Sequence, residues 1–236
     1  MAGQGKTVWI TRAQPGADAT AARVRAHGHQ AWVTPLLEVR LLPDIAYDLS
    51  GVGALAFTSA NGVRAFAQAR TERDLKVFAV GRATADAARA ARFRTVLSTD
   101  GNVDSLADGI SARRREIKGY VLHPGAEELA GDLVGLLEGY GIEARRLIVY
   151  ETAPLPVPAE DIARLVTADV VLVHSAKAAR ALASVLRAGS QPSPAPVPKA
   201  IGISREALKP LLRTRLAGRA APTFPLEAGM FDLIDR

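Results

Sequence analysis

Short apolar runs alternate along this chain with segments in which apolar residues recur at helical spacing. Ala54-Leu55-Ala56-Phe57 is one such run, and Val63, Ala65, Phe66 and Ala69 then repeat with the period of a helix. The change of period predicts a strand that turns into a helix through Thr58-Ser59-Ala60-Asn61-Gly62. Thr58, Ser59 and Asn61 are residues that cap helices, and with the free N–H groups of the first turn they make a corner able to accept anions.

The same reading gives strands at 7–11, 31–39 (running on to Leu42 and Pro43), 55–58, 77–80, 95–98, 120–123, 145–152, 170–173, 199–203 and near 220. Helices are expected from Pro15 to the Gly28 stop, at 61–70, 83–91, 103–113, 127–139, 159–167, 177–187 and 205–214, and from 226 onward. Gly189 to Pro198 has the composition of a loop. Regular alternation of strand and helix implies parallel sheets covered on both faces.

The pattern repeats. Ser175 stands 116 residues after Ser59, and at that displacement Arg180 falls on Arg64 and Leu182 on Phe66. Gly202 follows Gly81 at the slightly larger displacement of 121. Two related α/β halves are therefore expected. The extended stretches at 31–42 and 145–158, the latter ending in Pro154, Pro156 and Pro158, are too long for ordinary strands. Read as bridges, they make residues 1–36 and 154–236 one discontinuous domain and residues 37–153 an inserted one, with 1–36 supplying the two strands that the second half lacks. The fold class is α/β: two similar doubly wound parallel-sheet domains joined by a pair of extended linker strands.

Composition narrows the chemistry. No Cys occurs among the 236 residues, which excludes disulfides, thiolate metal sites and cysteine nucleophiles. The four His residues, at 27, 29, 123 and 174, lack metal spacing, so no metal is expected. A net charge of +6 suits an anionic partner, but 5% aromatic content is poor for stacking bases, so a polyanionic metabolite is preferred to nucleic acid. With no signal-peptide pattern and no apolar run of membrane-spanning length, a cytoplasmic location without membrane contact is expected. No apolar stripe is left over, so a monomer is expected.

Gly3-Gln4-Gly5-Lys6-Thr7 imitates a phosphate-binding loop but lacks the upstream glycine and strand, and Gly51-Val52-Gly53 and Gly139-Tyr140-Gly141 precede strands instead of following them. The candidate ligand residues are instead those at the carboxyl ends of the strands, where open parallel sheets bind ligands: Arg12, Thr58, Ser59, Gly81, Thr84, Asn102, His123, Gly125, Ser175, Gly202 and Ser204. Singly, each Ser or Thr is accounted for by helix capping; together they are a larger set of donors than stability needs. His123 and His174 read as general acids or, by preference, simply as strand-end residues. Tyr150 reads from periodicity as a half-buried strand residue, and from its place on the bridging segment as a neutral proton donor facing an interdomain cleft.

Phe57-Thr58-Ser59-Ala60-Asn61-Gly62-Val63, Ala79-Val80-Gly81-Arg82-Ala83-Thr84-Ala85, Val149-Tyr150-Glu151-Thr152 and Ile201-Gly202-Ile203-Ser204, in this order, resemble the uroporphyrinogen-III synthase family. The resemblance implies a lyase-type ring closure without metal or organic cofactor: hydroxymethylbilane, a linear tetrapyrrole bearing acetates and propionates, loses its hydroxyl as water and closes with the last pyrrole inverted, in tetrapyrrole and heme biosynthesis. It further implies that Thr58, Ser59, Gly81, Thr84, Ser175 and Ser204 line the cleft, that Tyr150 assists departure of the hydroxyl, and that contact with the upstream bilane-forming enzyme is at most transient. The chain departs from the family at His123-Pro124-Gly125, where many members carry Arg, and at Ser204-Arg205, where a Thr-rich stretch is commoner. The competing class is a two-domain small-molecule binding protein or sensor without catalysis.

Overall fold

The computed structural model describes residues 5–42, 47–128, 131–164, 167–188 and 197–236. Most of the expected loop at 189–198, Pro43, and residues within the expected helices at 127–139 and 159–167 lie outside the described residues. The chain divides into two compact units, Met1–Glu38 with Ala153–Arg236, and Val39–Thr152.

The chain begins with β1 (Thr7–Ile10), α1 (Gly16–Ala26), β2 (Gln30–Val33) and β3 (Leu37–Leu41). It continues with β4 (Val52–Phe57), α2 (Ala60–Ala69), β5 (Lys76–Val80), α3 (Gly81–Ala90), β6 (Val96–Thr99), α4 (Val103–Ser111), β7 (Tyr120–Ala126), α5 (Leu133–Gly139) and β8 (Ala144–Pro154). Then follow α6 (Ala159–Arg164), β9 (Val170–Val173), α7 (Ala176–Ala188), β10 (Lys199–Gly202), α8 (Arg205–Leu208), β11 (Gly218–Ala220) and α9 (Glu227–Phe231).

One sheet has the order β11-β10-β9-β1-β2, with parallel pairing throughout. The other has the order β3-β8-β7-β4-β5-β6, parallel from β8 to β6. Aligned on the strands that precede Ser175 and Ser59, β9-β10-β11-β1-β2 corresponds to β4-β5-β6-β7-β8. Both sheets then have the spatial order 3-2-1-4-5, and β3 is an additional edge strand beside β8. The amino-terminal strands are thus the fourth and fifth of the shared order and not its first two, because the sheet grows outward from its first strand and they fill the free side of β9.

Alternating side chains on each sheet face opposite helix layers. Leu55, Phe57 and Leu122 pack with Val63 and Phe66 of α2 and with Ala85 of α3. Ala54, Ala56 and Val121 pack with α4 and α5 on the other face. Phe57, Phe66 and Phe93 meet with ring centroids 6.0 to 6.3 Å apart and fasten α2 to β4. Phe57 and Phe66 are fully buried, and each such side chain contributes about 1.5–3 kcal/mol. The other sheet is sandwiched in the same way, with Trp9, Val171 and Val173 under α7, and Val8, Ile10 and Leu172 under α1 and α9.

Two expectations are corrected. The single strand at 31–39 is two strands in different sheets, because the ladder stops after Val33 and Pro35 lies in the gap. The corner expected at His123-Pro124-Gly125 is strand: β7 continues to Ala126, Gly125 is buried opposite Ile148, and α5 starts only at Leu133. Pro124 is tolerated there because β7 pairs with β4 only as far as Leu122, so beyond that point one ladder has ended and no N–H is missed. The Leu42 N–H donates to the Val149 carbonyl at 3.1 Å and the Leu155 N–H to the Leu36 carbonyl at 2.9 Å, so the two extended segments are hydrogen-bonded to each other.

Candidate active site

In a sheet of order 3-2-1-4-5 the chain leaves strand 1 and strand 4 in opposite directions, and the carboxyl ends of that pair form the crevice where ligands bind. In the unit Val39–Thr152 these strands are β4 and β7. β4 ends at Phe57, and half-buried Thr58 and Ser59 lead into α2. The Ser59 Oγ accepts from the Asn61 N–H at 3.1 Å and caps the helix. A hydroxyl has two lone pairs and one proton, so a capping Ser still has its O–H to give to a ligand.

Beside Thr58 lies His123 of β7, wholly buried, with Nε2 3.2 Å from the Thr58 hydroxyl and no partner for Nδ1 among the described residues. Burial, reinforced by the charge of Arg146, lowers its pKa to about 4, so the imidazole is neutral at physiological pH. α2 lies close to β7 because its third residue is Gly62. A Cβ there would come within 2.8 Å of the Pro124 carbonyl oxygen.

Gly81 opens α3 with φ +69, a conformation that favours glycine, and an added Cβ would meet nothing within 4 Å. No side chain caps this helix, and its second residue, Arg82, is 92% exposed. Arg82 lies 3.6 Å from Asp86 one turn on; as a cation at the positive end of a helix it opposes the dipole, and it suits an anion held there. Thr84, one turn on, is buried.

Tyr150 is in β8 and 6% exposed, packed with Ala65 of α2 and Val149 and flanked by Val39, Ala126 and Leu147. The ring is thus more deeply buried than the half-buried residue expected from periodicity. Among the described residues its hydroxyl has no hydrogen-bond partner, while its carbonyl accepts from the Glu127 N–H at 3.0 Å. The guanidinium of Arg64 is pushed below its usual pKa by burial, and Tyr150 acts in the opposite sense, so that charge lies within electrostatic reach of the phenol. Sequence reading did not single out Arg64, although it stands one helical turn after Asn61, whose Oδ1 accepts from it at 2.5 Å.

The other unit has its own pair of ends, at β9 and β1. Ser175 follows β9 and accepts from the Ala178 N–H at 3.1 Å; Ser204 follows β10 and accepts from the Ala207 N–H at 3.2 Å. Arg12, expected as an open carboxylate ligand, is already engaged: its Nη1 lies 3.1 Å from Glu227 Oε1 and 3.3 Å from Thr20 Oγ1. Glu227 also accepts from Thr20 at 2.6 Å, lies 2.7 Å from His174 Nε2 and pairs with Arg23. Burial alone would raise the Glu227 pKa, but the hydrogen bonds from His174 and Thr20 and the nearby positive charge outweigh it and hold the carboxyl at about 2. Burial also lowers the pKa of His174, so at neutral pH it serves Glu227 as an uncharged donor while the arginines carry the charge. Nothing in the sequence marked Glu227, which lies 215 residues from Arg12.

The model of the HEM4 family, uroporphyrinogen-III synthase HemD, matches residues 18–228. The chain belongs to the uroporphyrinogen-III synthase family. Its fold is similar to that of uroporphyrinogen-III synthetase from Helicobacter pylori, at 17% identity over 97% of both chains with a TM-score of 0.66. It is also similar to a mutant uroporphyrinogen III synthase from Thermus thermophilus, at 17% identity over 97% of this chain and 96% of that one with a TM-score of 0.54. No curated protein matches in sequence. Uroporphyrinogen-III synthases belong to tetrapyrrole and heme biosynthesis, and the four motifs that carry the resemblance lie at β4–α2, β5–α3, β8 and β10–α8.

Proposed function

We propose that this protein closes hydroxymethylbilane to uroporphyrinogen III with loss of water and inversion of the last pyrrole, as a carbon–oxygen lyase that needs neither metal nor organic cofactor. The observation that carries this reading is the family match over residues 18–228. The chemistry is within reach of the residues present. A pyrrole nitrogen pushes electron density toward the carbon bearing the hydroxyl, so departure of that hydroxyl needs a proton donor and electrostatic shaping. Tyr150 is the donor: its proton leaves with the hydroxyl as water, and the substituted α-carbon of the last pyrrole attacks the resulting cationic carbon. The bond from that α-carbon to its original methylene bridge breaks, the methylene cation so released is attacked by the ring's free α-carbon, and the proton lost as the inverted pyrrole regains aromaticity returns to the phenolate. The guanidinium of Arg64 lies within electrostatic reach of that oxygen.

The substrate's acetates and propionates are held by the strand-end donors, namely the hydroxyls of Thr58, Ser59, Thr84, Ser175 and Ser204 and the backbone around Gly81. Arg12 and Gly125 contribute less, the first through its pairing with Glu227 and the second through its burial within β7. A basic chain of net charge +6 supports a polycarboxylate substrate. Because the linear bilane also closes spontaneously, transient contact with the enzyme that forms it shortens its exposure to water.

The test is to generate hydroxymethylbilane enzymatically in the presence of this protein and follow its disappearance. Consumption faster than in the protein-free control is the expected result. A binding protein without catalysis would slow the loss of the bilane or leave it as in the control.

A further inference from the structure

A wholly buried histidine within a central strand, with one ring nitrogen on a threonine hydroxyl and the other without a partner among the described residues, is an expensive way to fill space. The geometry limits how its protons are arranged. If Nδ1 carried the proton, a buried N–H would be left orphaned and the Thr58 proton would be spent on Nε2. If both nitrogens were protonated, the orphan would remain and a cation would be buried opposite Arg146, its register partner on β8. With the proton on Nε2, the imidazole donates to Thr58 Oγ1 and leaves only a lone pair unmatched at Nδ1, the milder of the two defects.

We propose that His123 is a positioning residue that donates from Nε2 to Thr58 and so turns the Thr58 O–H outward as a fixed donor for a substrate carboxylate. This rests on the reading of the protein as an enzyme acting on a polycarboxylate tetrapyrrole. Thr58 is half-buried and immediately precedes the Ser59 cap, so its hydroxyl stands at the end of β4 beside the start of α2. A carboxylate held there can accept from the Thr58 hydroxyl. Gly62 keeps α2 against β7 at Pro124, one residue beyond His123, and thereby preserves the 3.2 Å contact. The depressed pKa of the ring is consistent with a proton that stays in place across the working range of pH.

The first test is long-range proton–nitrogen NMR on the unliganded protein labelled with nitrogen-15 histidine, compared with His123→Gln to assign the signal. A neutral ring protonated at Nε2 from pH 5.5 to 8 is the expected result; protonation at Nδ1, or titration near the ordinary histidine value, would overturn the proposal. The second test is steady-state kinetics with enzymatically generated hydroxymethylbilane. His123→Leu, which removes the donor, should raise KM about five- to tenfold with a smaller effect on kcat, as expected for loss of one hydrogen bond to a carboxylate. His123→Gln, which keeps an N–H near the Nε2 position, should recover most of that loss. Adding His123→Leu to Thr58→Val should cost little beyond Thr58→Val alone. Equal KM values for the Gln and Leu variants, or additive losses in the double variant, would contradict the proposal. Absence of turnover in the unaltered protein would count against the enzyme reading, while the NMR result would still decide the tautomer.

Discussion

Replacing Glu227 by Gln removes one charge from the best-connected polar cluster of its unit while keeping the shape of the side chain. Its carboxylate takes a hydrogen bond from Thr20, meets His174 Nε2 at 2.7 Å, and pairs with Arg12 and Arg23. Lowering the carboxyl from 4.5 to about 2 corresponds to a little over 3 kcal/mol at about 1.4 kcal/mol per pH unit. Two factors reduce that figure. The Arg23 side chain is 51% exposed, so water screens its charge, and His174 is neutral at pH 7 and contributes a donor without a charge. About 2 kcal/mol is the expected loss at pH 7, or roughly 4–8 °C in Tm for a chain of this size. Because the folded-state pKa lies below the unfolded one, this stability is fully present above pH 4.5 and disappears as pH falls toward 2. Thermal unfolding of both proteins between pH 7 and pH 3 should therefore show a gap that narrows on acidification, since the substituted amide has no proton to gain. An undiminished gap at pH 3, or no gap at pH 7, would refute the reasoning.

Other substitutions test the packing and the site. Tyr150→Phe should lower kcat tenfold or more, the scale of general-acid catalysis, while leaving Tm within about 2 °C, because the ring packing is kept and the lost hydroxyl has no hydrogen-bond partner among the described residues. Gly62→Ala places a methyl 2.8 Å from the Pro124 carbonyl oxygen; moving α2 off β7 should cost about 1–3 kcal/mol in urea unfolding and weaken turnover with it. Gly81→Ala meets no neighbour but must hold φ +69, so it should cost only about 1–2 kcal/mol, with the larger effect on kcat/KM if α3 bows away from the anion it holds. Ser59→Ala removes a cap worth about 1 kcal/mol and one donor to the substrate, so stability and KM should both suffer.

Much of the fold was legible because its elements are local. The switch of apolar period at Phe57 marks the end of β4, and the Ser residues read as caps at 59, 175 and 204 each accept a backbone N–H in the structure. The repeat that places Ser175 on Ser59 anticipated two related α/β halves, and both sheets have the same strand order. What could not be read was set by pairing. His123-Pro124-Gly125 has the composition of a turn, yet it is strand because β8 continues the ladder after β4 has ended. Arg12 reads as a free cation in sequence, and only the fold brings Glu227 to it. Arg64 was hidden for the same reason: its relation to Tyr150 depends on α2 lying beside β8, which no local pattern records.

The most direct measurement is the isomer composition of the product. Hydroxymethylbilane formed in situ, with this protein present in catalytic amount, is allowed to close, and the oxidised porphyrins are separated by chromatography. Predominantly type III product, in a proportion that falls when Tyr150 is replaced by Phe and spontaneous closure competes, is the predicted result. Type I product alone, at the rate of the protein-free control, would contradict the account.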